Sequence, residues 1–294
     1  MNMSSLIARV RTKEIALRWP GRSKKCASPE CARSHTPWRP VADEMDYVRF
    51  RGAEFCFPKC FSRELLRLLE QPSSRVPAAC VKPRRMPLGL LMLSRGDLTE
   101  QQLLQALSAQ KNAGSGKIGE WLRRLQLAGE YEIAAALAQQ WSCPLMRTLP
   151  TRLADCLVPA TLFRALRMAP VHFSTRERVL HLAFAGSIAY KALVAIEQML
   201  ELKTKACLTT EQELADALNR IGYRQRDGEK LFQNCRDMTE VVGIICNYAR
   251  ALAAREIRCL SCGQFLWARI LAGAQCVDLL FPQQNIHREG ISAL

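Results

Sequence analysis

The sequence contains no run of about 18 uncharged apolar residues, which argues against a transmembrane helix. Its opening stretch, MNMSSLIARVRTKEIALRW, holds an apolar patch too short and too often broken by charge for a secretory signal. A cytoplasmic location is therefore expected. Histidine is scarce, with 4 residues in 294, and no nucleophile–base constellation can be read from the chain. Acidic residues are outnumbered, 27 against 42 Lys and Arg. The deficit is uneven, because residues 1–85 hold 18 Lys and Arg against 8 Asp and Glu. That bias fits an anionic partner, such as nucleic acid, a nucleotide or an acidic protein face, and equally a solvated basic surface.

A functional phosphate-binding loop is also missing. KNAGSGKIGEW, residues 111–121, has a Gly-Lys core, but Ile118 follows the lysine where a Walker loop needs Ser or Thr for magnesium. Lys111 stands where the first glycine belongs. The preceding LTEQQLLQALSAQ reads as a helix rather than a strand, with Leu103, Leu104 and Leu107 on one face and a Thr99–Gln102 capping box. ATP hydrolysis is not expected, and the chain is read as non-enzymatic.

The glycine-lysine stretch belongs instead to an internal repeat. Shifting the sequence by 30 residues aligns Pro87-Leu88-Gly89 with Lys117-Ile118-Gly119, Met92 with Leu122, Leu98 with Ala128, Leu103 with Ile133, Leu107 with Leu137 and Gln110 with Gln140. Each copy reads as a short helix opened by a glycine, a turn containing Gly96 or Gly129, and a longer helix closed by glutamine. The opening glycines suit close approach, of helix to helix or of a ligand to backbone. Two such hairpins form a small helical bundle.

Cysteine is plentiful, at 13 residues, and in a cytosolic chain this favours metal ligands and buried thiols over disulfides. Cys26 and Cys31 form one close pair in KKCASPECARSH, and Cys56 and Cys60 a second in EFCFPKCFSRELLRLLE, at the start of an expected helix. Such knuckles can aim four thiolates at one structural zinc, and bound metal would supply the core that a segment poor in apolar residues lacks. His35 is an alternative to Cys31. Cys259 and Cys262, with Cys276 beyond, look like another pair, but in a strand the first two would face opposite sides.

The tandem repeat resembles the cyclic-di-GMP-binding motif of the MshEN domain, found at the N-terminus of bacterial type II secretion and type IV pilus assembly ATPases. That motif opens Arg-Leu-Gly, continues with spaced leucines and closes on glutamine, twice over. Here the spacing is kept, but Pro87 and Lys117 replace the two arginines, and neither offers the flat hydrogen-bonding fork of a guanidinium. The resemblance implies ligand-binding roles for Leu88, Gly89, Met92, Gln110, Lys117, Ile118, Gly119, Leu122 and Gln140, and a protein partner in a secretion or pilus system.

The likeness spans about residues 86–222. After Leu-Val-Pro the family has a helix, two strands, a helix, a strand and a final helix. The residues agree: Leu180, Leu182 and Phe184 alternate, Ala192, Ile196 and Met199 recur at helical spacing, and Thr210 with Glu213 suggests a capping box. Beyond it, DMTEVVGIICNYARALAA reads as an amphipathic helix opened near Asp237, and EIRCLSCGQFLWARI with QCVDLLF as a hairpin-like strand pair around LAGA.

The expected fold is α+β, in four segments: a basic zinc knuckle (1–80), the tandem hairpins (81–150), an α/β half (151–224) and a helix with a β-hairpin (225–294). The expected function is a regulatory or docking module without a motor. The alternative is a zinc-dependent nucleic-acid binder, in which Trp38, Tyr47 and Phe50 among the N-terminal arginines stack on bases.

Overall fold

The computed structural model describes residues 25–31, 47–71, 85–150, 158–221 and 228–286. Two sheets organise them. Strands β1 (Tyr47–Phe50) and β2 (Ala53–Cys56) form a tight hairpin, followed by helix α1 (Lys59–Glu70). Four helices come next: α2 (Leu88–Ser94), α3 (Glu100–Ala113), α4 (Ile118–Arg124) and α5 (Glu130–Trp141). The α/β half then runs α6 (Ala160–Ala165), β3 (Met168–Ser174), β4 (Val179–Phe184), α7 (Tyr190–Leu200), β5 (Lys203–Leu208) and α8 (Glu211–Ile221). The chain closes with β6 (Glu229–Leu231), α9 (Met238–Ala251), β7 (Glu256–Cys262), β8 (Phe265–Ala272) and β9 (Gln275–Pro282).

The four helices form two hairpins that repeat each other. Thr99 caps α3 with the full capping box that its sequence suggests, the hydroxyl accepting from Gln102 N and the Gln102 side chain from Thr99 N. Met92 and Leu122, equivalent in the repeat, are both wholly buried in the bundle core with Leu98, Ala106 and Ala136. The turn of copy one uses Gly96 at φ +78°. Its equivalent in copy two is Gln126 at φ +55°, while Gly129 takes the N-cap position of α5 that Thr99 takes in α3, without a side-chain cap. The left-handed turn position is thus conserved in shape by a non-glycine residue, one place where the glycine pattern misleads.

The α/β half follows the expected element order, with sheet order β3-β4-β5. Its capping box is only half made. Thr210 Oγ1 accepts from Glu213 N, but the Glu213 carboxylate turns away to accept from Leu149 N, holding the incoming chain instead.

The second sheet has order β2-β1-β7-β8-β9-β6 and joins the two ends of the described chain, with Arg49 opposite Glu256 and Phe50 opposite Ile257. The C-terminal segment differs from its expected strand pair. Residues 256–272 form two strands, not one, because Gly263 at φ +61° and Gln264 make a two-residue turn between the paired Cys262 and Phe265. A Cβ at Gly263 would lie 2.3 Å from Leu166 Cδ2, so this turn also accommodates the α6 end.

Both faces of this sheet are covered. Ile257, Cys259, Leu266, Ala268 and Phe281 face α9 and α1. Cys262, Phe265, Trp267 and Leu280 face the α/β half, against Phe163, Ile196 and Met199. Two-sided burial explains why β8 is apolar with little alternation. Its one buried cation, Arg269, is neutralised by a two-pronged pair with Asp278, which also accepts from Trp267 Nε1.

Candidate metal centre and hairpin cleft

The four N-terminal cysteines converge. Cys26 lies on a loop tied to β2 by Ala27 N donating to Glu54 O, and Cys31 closes a turn onto Ser28 O. Cys56 ends β2 and Cys60 lies in the first turn of α1. Their Sγ atoms all lie within 4.8 Å of one another, and Cys31 Sγ is 3.7 Å from Cys56 Sγ. A tetrahedral ion with bonds of about 2.3 Å has ligand–ligand edges of roughly 3.8 Å. Cys56 N also donates to Cys26 Sγ at 3.4 Å, the kind of contact that supports a thiolate.

Packing the thiols together raises the cost of charging them. Burial pushes the Cys56 thiol up to about 11 and the Cys60 thiol up to about 12, with hydrogen bonding to Cys31 adding to each. A divalent cation reverses that balance by supplying the missing positive charge. The four cysteines could therefore hold a metal ion, and Phe50, Phe55 and Phe61 form an aromatic wall beside them, Phe50 and Phe61 meeting edge-on at 5.4 Å.

Cys259 and Cys262 lie on opposite faces of the second sheet, as strand geometry requires. Burial pushes both thiols up to about 12. Cys276 is on β9 opposite Leu271. Among the described residues only the N-terminal four make a metal-compatible group. Cys80, Cys156 and His35 lie outside the described residues, as do Arg33, Trp38 and Arg39. Tyr47 and Phe50, offered above as base-stacking rings, are buried in the core, which removes them from a nucleic-acid face.

The glycine-lysine stretch links two helices, α3 and α4. Its carbonyls are occupied: Gly116 O accepts from Gln110 Nε2 and Ser115 O from Trp121 Nε1. A phosphate cradle presents free N–H groups instead. Gln140 makes the matching bond to Met86 O, 30 residues before Gly116.

The opening glycines serve helix contact. A Cβ on Gly89 would lie 2.5 Å from Leu103 Cδ1, and one on Gly119 would lie 3.3 Å from Ile133 Cγ2. Met92 and Leu122 are fully buried and pack in the bundle core.

Leu88, Lys117, Ile118, Gly119 and Gln140 line a cleft of about 540 Å³ between the second hairpin and the α/β half. Its far wall is the two loops that leave the parallel strands β4 and β5, at Ala185–Ser187 and Thr209–Glu211. Ligands favour this end of parallel strands. Lys117 makes no ion pair with a described residue, whereas Arg123 pairs with Glu130 and Arg167 with Glu211. Two wall atoms, Trp141 Nε1 and Thr209 Oγ1, are buried without a hydrogen-bond partner. Arg85, two residues before Pro87, lays its guanidinium 3.5 Å over the Trp141 ring, so a planar cation reaches the cleft from outside the motif register. Arg84 lies outside the described residues. Sequence alone carries no signal that places Trp141, Arg167, Ser187 or Thr209 at a site; Thr210 beside them reads only as a helix cap.

No family model and no curated protein matches the chain. Solved structures do. A structure of MshE with c-di-GMP (cdg) is 30% identical, matched over 47% of this chain and 99% of its own, with a TM-score of 0.40. The chain belongs to the MshEN-like family of secretion-ATPase N-terminal domains. Two structures of the N-terminal domain of XpsE, at 21% and 24% identity, cover 46% and 44% of this chain, with TM-scores of 0.37 and 0.28. The share of this chain matched is just under half in each case.

Proposed function

We propose that the chain is a non-enzymatic, cytoplasmic regulatory or docking module, in which the MshEN-like domain binds cyclic-di-GMP and a structural zinc holds the N-terminal knuckle. The observation that carries the ligand reading is the cleft between the second hairpin and the α/β half, with its two unpartnered buried donors. A purine dinucleotide phosphate has what that wall lacks: acceptors for Trp141 Nε1 and Thr209 Oγ1, flat rings for apolar Leu88, Ile118 and Leu137, and charge for Lys117. Arg85, whose Cζ already lies over the Trp141 ring, supplies a guanidinium that the motif positions Pro87 and Lys117 do not. Calorimetric titration of cyclic-di-GMP into the full chain is expected to give saturable heat at micromolar ligand; no heat at that concentration overturns the reading.

For the metal, the donor set is four thiolates, the set that zinc favours in closed structural sites. Ligation there ties the loop carrying Cys26 and Cys31 to β2 and α1. Elemental analysis of the purified chain is expected to return one zinc per molecule. A protein partner, in a secretion or pilus assembly, is what such a module would recruit.

A further inference from the structure

The repeat presents one stripe twice and covers it once. On α5 the stripe is Glu130, Ala134, Leu137 and Trp141, and all four line the cleft against the α/β half. Trp141 meets the Tyr190 ring at 5.5 Å, and the Glu130 carboxylate accepts from Gln212 N. This face is an internal docking surface. The equivalent stripe on α3, 30 residues earlier, is Glu100, Leu104, Leu107 and Lys111. Nothing in the described chain covers it: Leu104 is 56% exposed and Leu107 43%, and Glu100 and Lys111 are exposed without an ion pair to a described residue.

The order of residues along the stripe selects the occupant. Their spacing follows the alternating four and three residues of a helix–helix seam. The charge at one end is negative, the charge at the other positive, and two leucines stand between. Laid antiparallel on a second copy of itself, the stripe sets Glu100 against the partner's Lys111 and Leu104 against the partner's Leu107, twice, about a two-fold axis. A parallel pairing would instead oppose like charges. We propose that α3 is the site at which a second copy of this chain docks, antiparallel and isologous. Helix α3 is 14 residues long, about 21 Å, so a contact through it buries less than a standard interface and the dimer is weak and concentration-dependent.

Sedimentation velocity of the full chain tests this, over a range from about 1 to about 300 µM. The sedimentation coefficient is expected to rise from monomer towards dimer across that range. Leu104→Glu is expected to hold the chain monomeric, and Glu100→Lys to raise the dissociation constant about tenfold or more by opposing lysine to Lys111. The double exchange Glu100→Lys with Lys111→Glu restores the opposed charges and is expected to recover dimerisation. All of these positions are exposed, and unchanged thermal melting by circular dichroism checks that each variant folds. A wild-type chain that stays monomeric to the top of the range overturns the proposal and leaves the stripe to a foreign helix. A dimer indifferent to Leu104→Glu overturns it too, and a double exchange that fails to rescue overturns the antiparallel register.

Discussion

Gln140, the last motif residue of the second hairpin, donates its side-chain amide to the carbonyl of Met86 at the mouth of the first, 2.6 Å away. Gln110 does the same to Gly116 at the mouth of the second, at 2.8 Å. The two hairpins are latched to each other reciprocally, since Met86 and Gly116 hold the same place in the repeat. Replacing either glutamine with alanine removes one half-exposed hydrogen bond, and each is expected to cost about 0.5–1.5 kcal/mol in denaturant unfolding. Unequal costs would show that the latches differ in weight despite their matching geometry.

Gly89→Ala and Gly119→Ala are expected to separate. At Gly89 the new methyl meets Leu103 Cδ1 at 2.5 Å, and that leucine is itself buried. Overpacking of this kind costs about 1–3 kcal/mol. At Gly119 the nearest atom stands at 3.3 Å, and a smaller loss is expected. Chemical denaturation of the two variants side by side measures the difference.

Thr209→Val is expected to act in opposite directions on stability and on binding. The hydroxyl is buried to 1% exposure with no partner, so an isosteric apolar group should leave the ligand-free chain unchanged or more stable by about 1 kcal/mol. The same change removes the unpartnered donor of a cleft-lining residue and should weaken cyclic-di-GMP binding. Thermal melting and calorimetric titration of the one variant check both signs.

Metal removal should expose a pH dependence in the knuckle. Without metal, the Cys56 and Cys60 thiols are raised from 9.0 to about 11 and about 12 by burial. Groups raised in this way add stability that is complete below pH 9 and lost as pH climbs through 11 to 12. The chelated chain is therefore expected to weaken steadily above pH 9, whereas the zinc-loaded chain, with its thiols already ionised on the metal, should not. Zinc loading near neutral pH should release protons, which titration in buffers of different ionisation enthalpy detects.

Much of this was legible in the residues, because the relevant forces are local. The 30-residue repeat, the Thr99 cap and the alternation of Leu180, Leu182 and Phe184 each follow from neighbours along the chain, and the structure follows them. What was hidden depends on contacts far apart in sequence. Nothing near Glu229 signals that its carboxylate reaches across to accept from Ala160 N and Thr161 N at the start of α6. Nothing near Arg49 signals that its strand lies beside Glu256. Trp141 follows the last motif residue and aligns with Lys111, so the repeat gave no reason to place an indole in the cleft wall. The four cysteines were readable as two pairs, but their meeting depends on the loop–β2 bond from Ala27 to Glu54.

The pairing of β1 with β7 has a topological consequence. Residues 47–71 and 228–286 build one hydrophobic layer together, with Phe50, Phe61 and Leu65 packed among Val241, Ile245 and Ile257. The MshEN-like segment is thereby a guest spliced into a host that is woven from both sides of it. Stripping away the knuckle would leave β7 as a bare edge with half its layer gone, an adhesive strand ready to recruit a neighbouring chain. The host can close only when sequences some two hundred positions apart have found each other, and in this chain the cysteine cluster is anchored at that seam.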